Sequence, residues 1–152
     1  PATVCGYSPR MRLDVSVNML TMQALCNGVI TVFGGTQVRP NIHIDDITDA
    51  YLHLIDNKNN IQGIYNAGFE NLSILQIAKM VTEHIPAKIV VTESNDPRSY
   101  RINSDKLLAT GYKPKKTVND AIEEICLKHK EGILKDELQW HNLKCMESSF
   151  VE

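Results

Sequence analysis

Between positions 30 and 46 the chain sets two short runs rich in β-branched residues, Ile30-Thr31-Val32-Phe33 and Ile42-His43-Ile44, on either side of Gly34-Gly35 and Arg39. β-branched and aromatic residues suit pleated strands, and paired glycines let the backbone reverse between them. Asp45-Asp46 follows at once, and Ile47, Ala50, Tyr51, Leu54 and Ile55 then recur at helical spacing. Asp45 or Asp46 is therefore expected to cap a helix running through Ile55. Strand, turn, strand and helix in so short a stretch predict an α/β fold, small, with short strands packed against helices.

The rest of the chain alternates in the same way. Residues 13–26 repeat apolar side chains at helical spacing and stop at Asn27-Gly28, a helix-ending pair. Residues 63–67 read as a buried strand. Ser73 opens a helix with the stripe Ile74, Ile77, Ala78 and Val81, which ends near Pro86. Residues 89–92 form a strand, Ser104 caps a short helix ending at Thr110-Gly111, and Thr117 opens the last long helix with Val118, Ala121, Ile122, Ile125 and Cys126 inward. Met11, Met19 and Met22 read as packing residues that fill irregular gaps.

Composition excludes several classes. At 152 residues and 43% apolar content, one domain with a real core is expected. A net charge of −2 with mixed signs argues against a nucleic-acid surface. No apolar run approaches a membrane span, and no signal segment opens the chain. A start at Pro1-Ala2 reads as the inside of a longer protein. Cys5, Cys26, Cys126 and Cys145 make no C-x-x-C pairs, which points to reduced thiols and a cytoplasmic location. Cys126 with His129 and His141 with Cys145 have zinc-site spacing, but without a glycine-turn context the reading is a packed helix and a polar tail, with no metal.

The segment around Arg39 resembles I-T-V-F-G-x-G-x-Q-x-R-x-x-I-H-V-x-D of the extended short-chain dehydrogenase/reductase family, the NAD-dependent nucleotide-sugar epimerases and dehydratases. One loop residue before Gln37 is missing. Further resemblances follow in order: Thr3-Val4-Cys5-Gly6-Tyr7, Val17-Asn18-Met19-Leu20, Tyr65-Asn66-Ala67-Gly68, the run from Asp96 to Leu107, and Gly111-Tyr112-Lys113-Pro114. The resemblance implies a substrate-binding domain over residues 1–134, with 1–10 left from the cofactor domain and 135–152 a fraying extension. It implies Arg39, Arg98 and Asn18 at the substrate's diphosphate, Val32 and Phe33 at its base, and Tyr100 beside them. It also implies NAD as redox cofactor of the complete enzyme.

The cofactor half of such enzymes carries a G-x-x-G-x-x-G turn against the pyrophosphate, and this sequence has none. The family's Tyr/Lys proton-transfer pair has one formal match, Tyr112 with Lys116, but Pro114 lies between them and forbids the helix that would carry it. The chain alone is thus expected to be inactive, without bound NAD and with no catalytic residue of its own. Its partners would be a nucleotide-diphosphate sugar, a missing N-terminal Rossmann domain and a second copy. Apolar surface near Val4 and the helix of residues 13–25 is expected to be exposed and to drive association.

Arginine's planar fork holds phosphate oxygens bidentately, and Arg39 and Arg98 fall on loops, where binding groups concentrate. Asn18 offers an amide donor without charge. His43 beside Asp45 and Asp46 reads as structural, since no activated nucleophile accompanies it, and Asp46 reads as a helix cap. Thr3 in place of an asparagine, Cys5 in place of an aromatic ring and the shortened glycine loop leave sugar, base and reaction type open. Two other readings keep the data: a reductase of the same fold acting on a phosphate-free substrate, which gives no reason for both arginines, and a non-catalytic binding module.

Overall fold

In the computed structural model, which describes residues 1–149, the first helix is α1 (Ser16–Asn27). It begins later than residue 13: Asp14 pairs with Arg12 (Nε to Oδ1, 2.9 Å), and Val15 is the N-cap, extended and without a side-chain cap bond. Leu13 precedes the helix yet is fully buried, its N–H donating to Trp140 O at 2.8 Å. Gly28 ends α1 in the left-handed region (φ 63°) and donates to Ala24 O, as the sequence predicts.

Val29–Phe33 (β2) pairs in parallel with Lys88–Thr92 (β5). Against this ribbon pack α1 and α3 (Ile74–His84), and α5 (Val118–Lys130) packs on those two helices. Val17, Leu20, Ile30, Val32, Ile77, Val81, Val118 and Ile122 meet there without solvent contact. Ser73 and Thr117 cap α3 and α5 in capping boxes with Gln76 and Asp120. The expectation of an exposed first helix is corrected: α1 is enclosed by this cluster. A group of exposed apolar residues lies instead on α2 (Ile44–Asp56), at Tyr51, Leu52 and Ile55.

The second sheet has β3 (Val38–His43) at its centre, β1 (Thr3–Cys5) parallel on one edge and β4 (Glu70–Ser73) antiparallel on the other. β3 is longer than the expected residues 42–44 and includes Pro40, while Ile44 already belongs to α2. Asn41 turns its carbonyl toward the β4 edge, where it accepts from Phe69 N–H. Pro40 therefore faces the other edge, and β1 begins only opposite Asn41, so no ladder bond is lost. Residues 63–67 are not a strand. They contribute one bond to β1's approach, Ala2 N–H to Ala67 O at 2.7 Å, and the pairing with β3 falls to Glu70–Ser73.

One expected cap is corrected. The N-cap of α2 is His43, whose Nδ1 accepts from Asp45 N–H at 3.1 Å. Asp46 is buried and accepts from the backbone N–H groups of Lys115 and Lys116 at 2.8 and 3.0 Å. Ser104 is the N-cap residue of α4 (Asp105–Leu108), as expected, but its hydroxyl bonds elsewhere, donating to Gly68 O at 2.8 Å and accepting from Gly68 N–H at 3.0 Å. After α5 come a 3-10 turn (Leu138–Trp140) and α6 (Asn142–Ser149), with Trp140 against Met11, Leu13, Met22 and Ile125. The extension expected over 135–152 is helical in these parts, and residues 150–152 lie outside the described residues. Among the described residues no helix is long and apolar enough to cross a membrane.

Candidate functional site

Arg39 enters from the start of β3 with its side chain only 14% exposed. Its Nη1 donates to the carbonyls of Val38 (3.1 Å) and Arg98, and its Nη2 meets Asp96 Oδ2 at 3.0 Å. Arg98 grips the same carboxylate with two prongs, Nε to Oδ1 and Nη2 to Oδ2, both 2.8 Å. The Tyr100 ring lies 5.6 Å from the Arg39 guanidinium carbon, within cation–π range. Two bonds tie this loop to β3: Val38 N–H donates to Ser99 Oγ at 3.0 Å, and Tyr100 N–H donates to Val38 O at 3.2 Å. Residues far apart in sequence thus form a single corner with two guanidiniums and one carboxylate. The neighbouring Arg98 holds the Asp96 carboxyl far below the usual carboxylate range.

Asp96 and Ser99 escaped the sequence reading as members of this site. The available signal was the Asp-Pro-Arg step, since aspartate favours turns in which its carboxylate reaches the backbone two residues on, as Arg98 N–H does here at 3.1 Å.

The other predicted residues lie apart. Phe33 ends β2 and is 56% exposed. Val32, the preceding residue, points the other way and is wholly buried in the core, so it offers no surface to a ligand. Asn18 is buried at the start of α1, where Oδ1 accepts from Gly6 N–H at 3.1 Å and Nδ2 donates to Arg12 O at 2.9 Å. Its amide braces the loop after β1. Near it, His43 Nε2 has no hydrogen-bond partner among the described residues and faces Glu124 Oε2 at 3.4 Å. Gly6 (φ 99°) makes room for this pair, because a Cβ there would stand 3.0 Å from Nε2. Cys5 donates its thiol to Ile42 O, and burial pushes its pKa up to about 12, which removes it as a nucleophile.

Tyr112 is buried and donates its hydroxyl to Asp46 O at 2.7 Å, and burial drives its pKa well above the usual value. A proton-transfer tyrosine needs the opposite shift and an open face. The junctions at His43-Ile44 and Ser73-Ile74, where a strand runs straight into a helix, carry no glycine turn for a pyrophosphate. Among the described residues no three His, Cys, Asp or Glu side chains form a metal-holding group.

Residues 1–68 match the NAD dependent epimerase/dehydratase family. The match bears out the resemblance to that family read from the chain's motifs. It is 38% identical over 88 residues to a UDP-glucose 4-epimerase of Lacticaseibacillus casei, covering 53% of this chain and 27% of the relative. Among solved structures it is similar to UDP-glucuronic acid 4-epimerase from Bacillus cereus in complex with UDP-glucuronic acid and NAD. That match has a TM-score of 0.70 and 29% identity, and covers 86% of this chain and 43% of the other. A monomeric L-threonine 3-dehydrogenase from a metagenome shares the fold alone (TM-score 0.72, 18% identity, 88% of this chain and 47% of that one). The chain therefore spans less than half the length of the relatives it matches.

Proposed function

We propose that this chain is the substrate-binding part of an NAD-dependent nucleotide-sugar epimerase or dehydratase, and that Arg39 and Arg98 receive the nucleoside diphosphate. The observation that carries the reading is the convergence of both guanidiniums on one carboxylate beside Tyr100, an arrangement built for an anion. Similarity to an epimerase solved with a UDP-sugar and NAD supports the substrate class. Phe33 supplies an exposed aromatic face for a base. NAD, which takes a hydride from the sugar and returns it, would be bound by a Rossmann half outside these residues, together with the Tyr/Lys pair. The chain alone is then inactive, and a cytoplasmic setting suits its thiols. Tyr51, Leu52 and Ile55 offer a surface for that half or for a second copy.

The test is alanine substitution in the complete enzyme. Arg39→Ala should cost about 2–4 kcal/mol of UDP-sugar affinity, and Arg39→Lys should recover only part because the fork is lost. Arg98, far more exposed, should cost less. Unchanged Michaelis constants in both alanine variants would favour the phosphate-free reductase reading.

A further inference from the structure

We infer that Asp96 is an internal occupant of the anion site: its carboxylate fills the Arg39 and Arg98 forks in the ligand-free chain and must leave when a diphosphate binds. The inference rests on the reading of this corner as the diphosphate site.

Both carboxylate oxygens are engaged. Oδ1 accepts from Arg98 Nε and from Arg98 N–H, and Oδ2 accepts from Arg98 Nη2 and Arg39 Nη2. This is the paired-donor geometry in which guanidiniums also hold phosphate oxygens, so ligand and carboxylate compete for the same N–H groups. Charge favours the ligand, since two guanidiniums against one carboxylate leave one positive charge over and a diphosphate carries at least two negative ones. The members also differ in freedom. Arg39 is nearly buried and is also held by bonds to the Val38 and Arg98 carbonyls that do not involve Asp96. Asp96 is 31% exposed and Arg98 75%, on the loop that the Arg98 carbonyl, Ser99 and Tyr100 fasten to β3 from Arg98 onward. The fixed fork is Arg39, and the movable carboxylate is Asp96.

The experiment compares the wild-type chain with Asp96→Asn and Asp96→Glu in two measurements: calorimetric titration with inorganic pyrophosphate, and the rate of phenylglyoxal labelling at Arg98, mapped by mass spectrometry. Asp96→Asn should bind pyrophosphate about 1.5- to fivefold more tightly, the scale of one exposed ion pair released. Its Arg98 should label faster, and Asp96→Glu should restore the wild-type rate. Equal or weaker pyrophosphate binding by Asp96→Asn, where the wild type binds, overturns the inference and makes Asp96 a brace for the arginines, leaving the diphosphate reading intact. Unchanged labelling shows that the pairing does not hold Arg98 in solution and overturns the inference whatever the titration gives. Faster labelling with no pyrophosphate binding by either protein removes the diphosphate reading and this inference with it.

Discussion

The half of the molecule built on β2 and β5 and the half built on β1, β3 and β4 cohere by different means. The first encloses Leu20, Ile30, Val32, Ile77, Val81 and Ile122 between helices, and each such side chain contributes about 1.5–3 kcal/mol by leaving water. The second has a smaller apolar cluster of Ile42, Ile47, Ala50, Ala67, Leu107 and Tyr112, and beside it buries Asn41, His43, Asp46 and Ser104 and is latched by polar side chains reaching across the chain. Asp46 holds Lys115 and Lys116, Asn71 holds both polar groups of Ile102, and Ser104 holds Gly68. Each latch is worth about 1 kcal/mol net but more when one partner is removed and the other left buried. Apolar packing accepts exchanges of similar volume, whereas a hydrogen bond fixes direction. The arginine corner stands at the start of β3, where loop residues 99 and 100 are aimed by such bonds.

Substitutions can break this contrast. The largest loss is expected from Leu20→Ala, about 2–5 kcal/mol in urea unfolding, because the surrounding helices cannot close the cavity. Asp46→Ala should follow at about 2–3 kcal/mol, with Asp46→Asn losing less, since one acceptor remains for two backbone donors. Amide exchange at Lys115 and Lys116 should rise in Asp46→Ala while that of α1 and α3 stays slow. Equal acceleration everywhere would mean that the two halves are one cooperative unit.

The smallest effect probes the bond between the halves. Glu70 of β4 accepts from Val118 N–H at 2.5 Å, and burial raises its carboxyl pKa above the ordinary 4.5. A raised acid holds its proton longer in the folded state, so its contribution is most favourable below pH 4.5 and declines as pH climbs through the folded value. Glu70→Gln, which keeps an acceptor, should therefore gain stability relative to wild type at pH 7 compared with pH 4, read by urea titration at both. A mutant-to-wild-type difference that is the same at both pH values would show that burial does not strain this carboxylate.

The sequence by itself determined three of the helix ends: Gly28 after α1, Ser73 with Gln76, and Thr117 with Asp120 act between residues three or four apart, a spacing the chain carries on its face. It also carried the ordered motifs behind the family resemblance and singled out the two arginines by type, although Arg39 lies in β3 and not on the loop expected for it. Only the tertiary structure decided where the polar side chains went. Asp46, beside a helix start, reads as a cap, yet donors 69 and 70 residues away took it. Pro40 sits inside a strand because its bare edge meets no partner, and residues 70–73 displaced 63–67 as the third strand because they lie opposite Val38 to Asn41. Val32 and Phe33, adjacent and alike in sequence, were divided into core and surface by which side of β2 the helices cover. The cause is common to all of these: a carboxylate, an amide or a strand edge accepts a local partner as readily as a remote one. Packing of the whole chain alone brings the remote partner within reach, as it brought Asp96 to Arg39 across 57 residues.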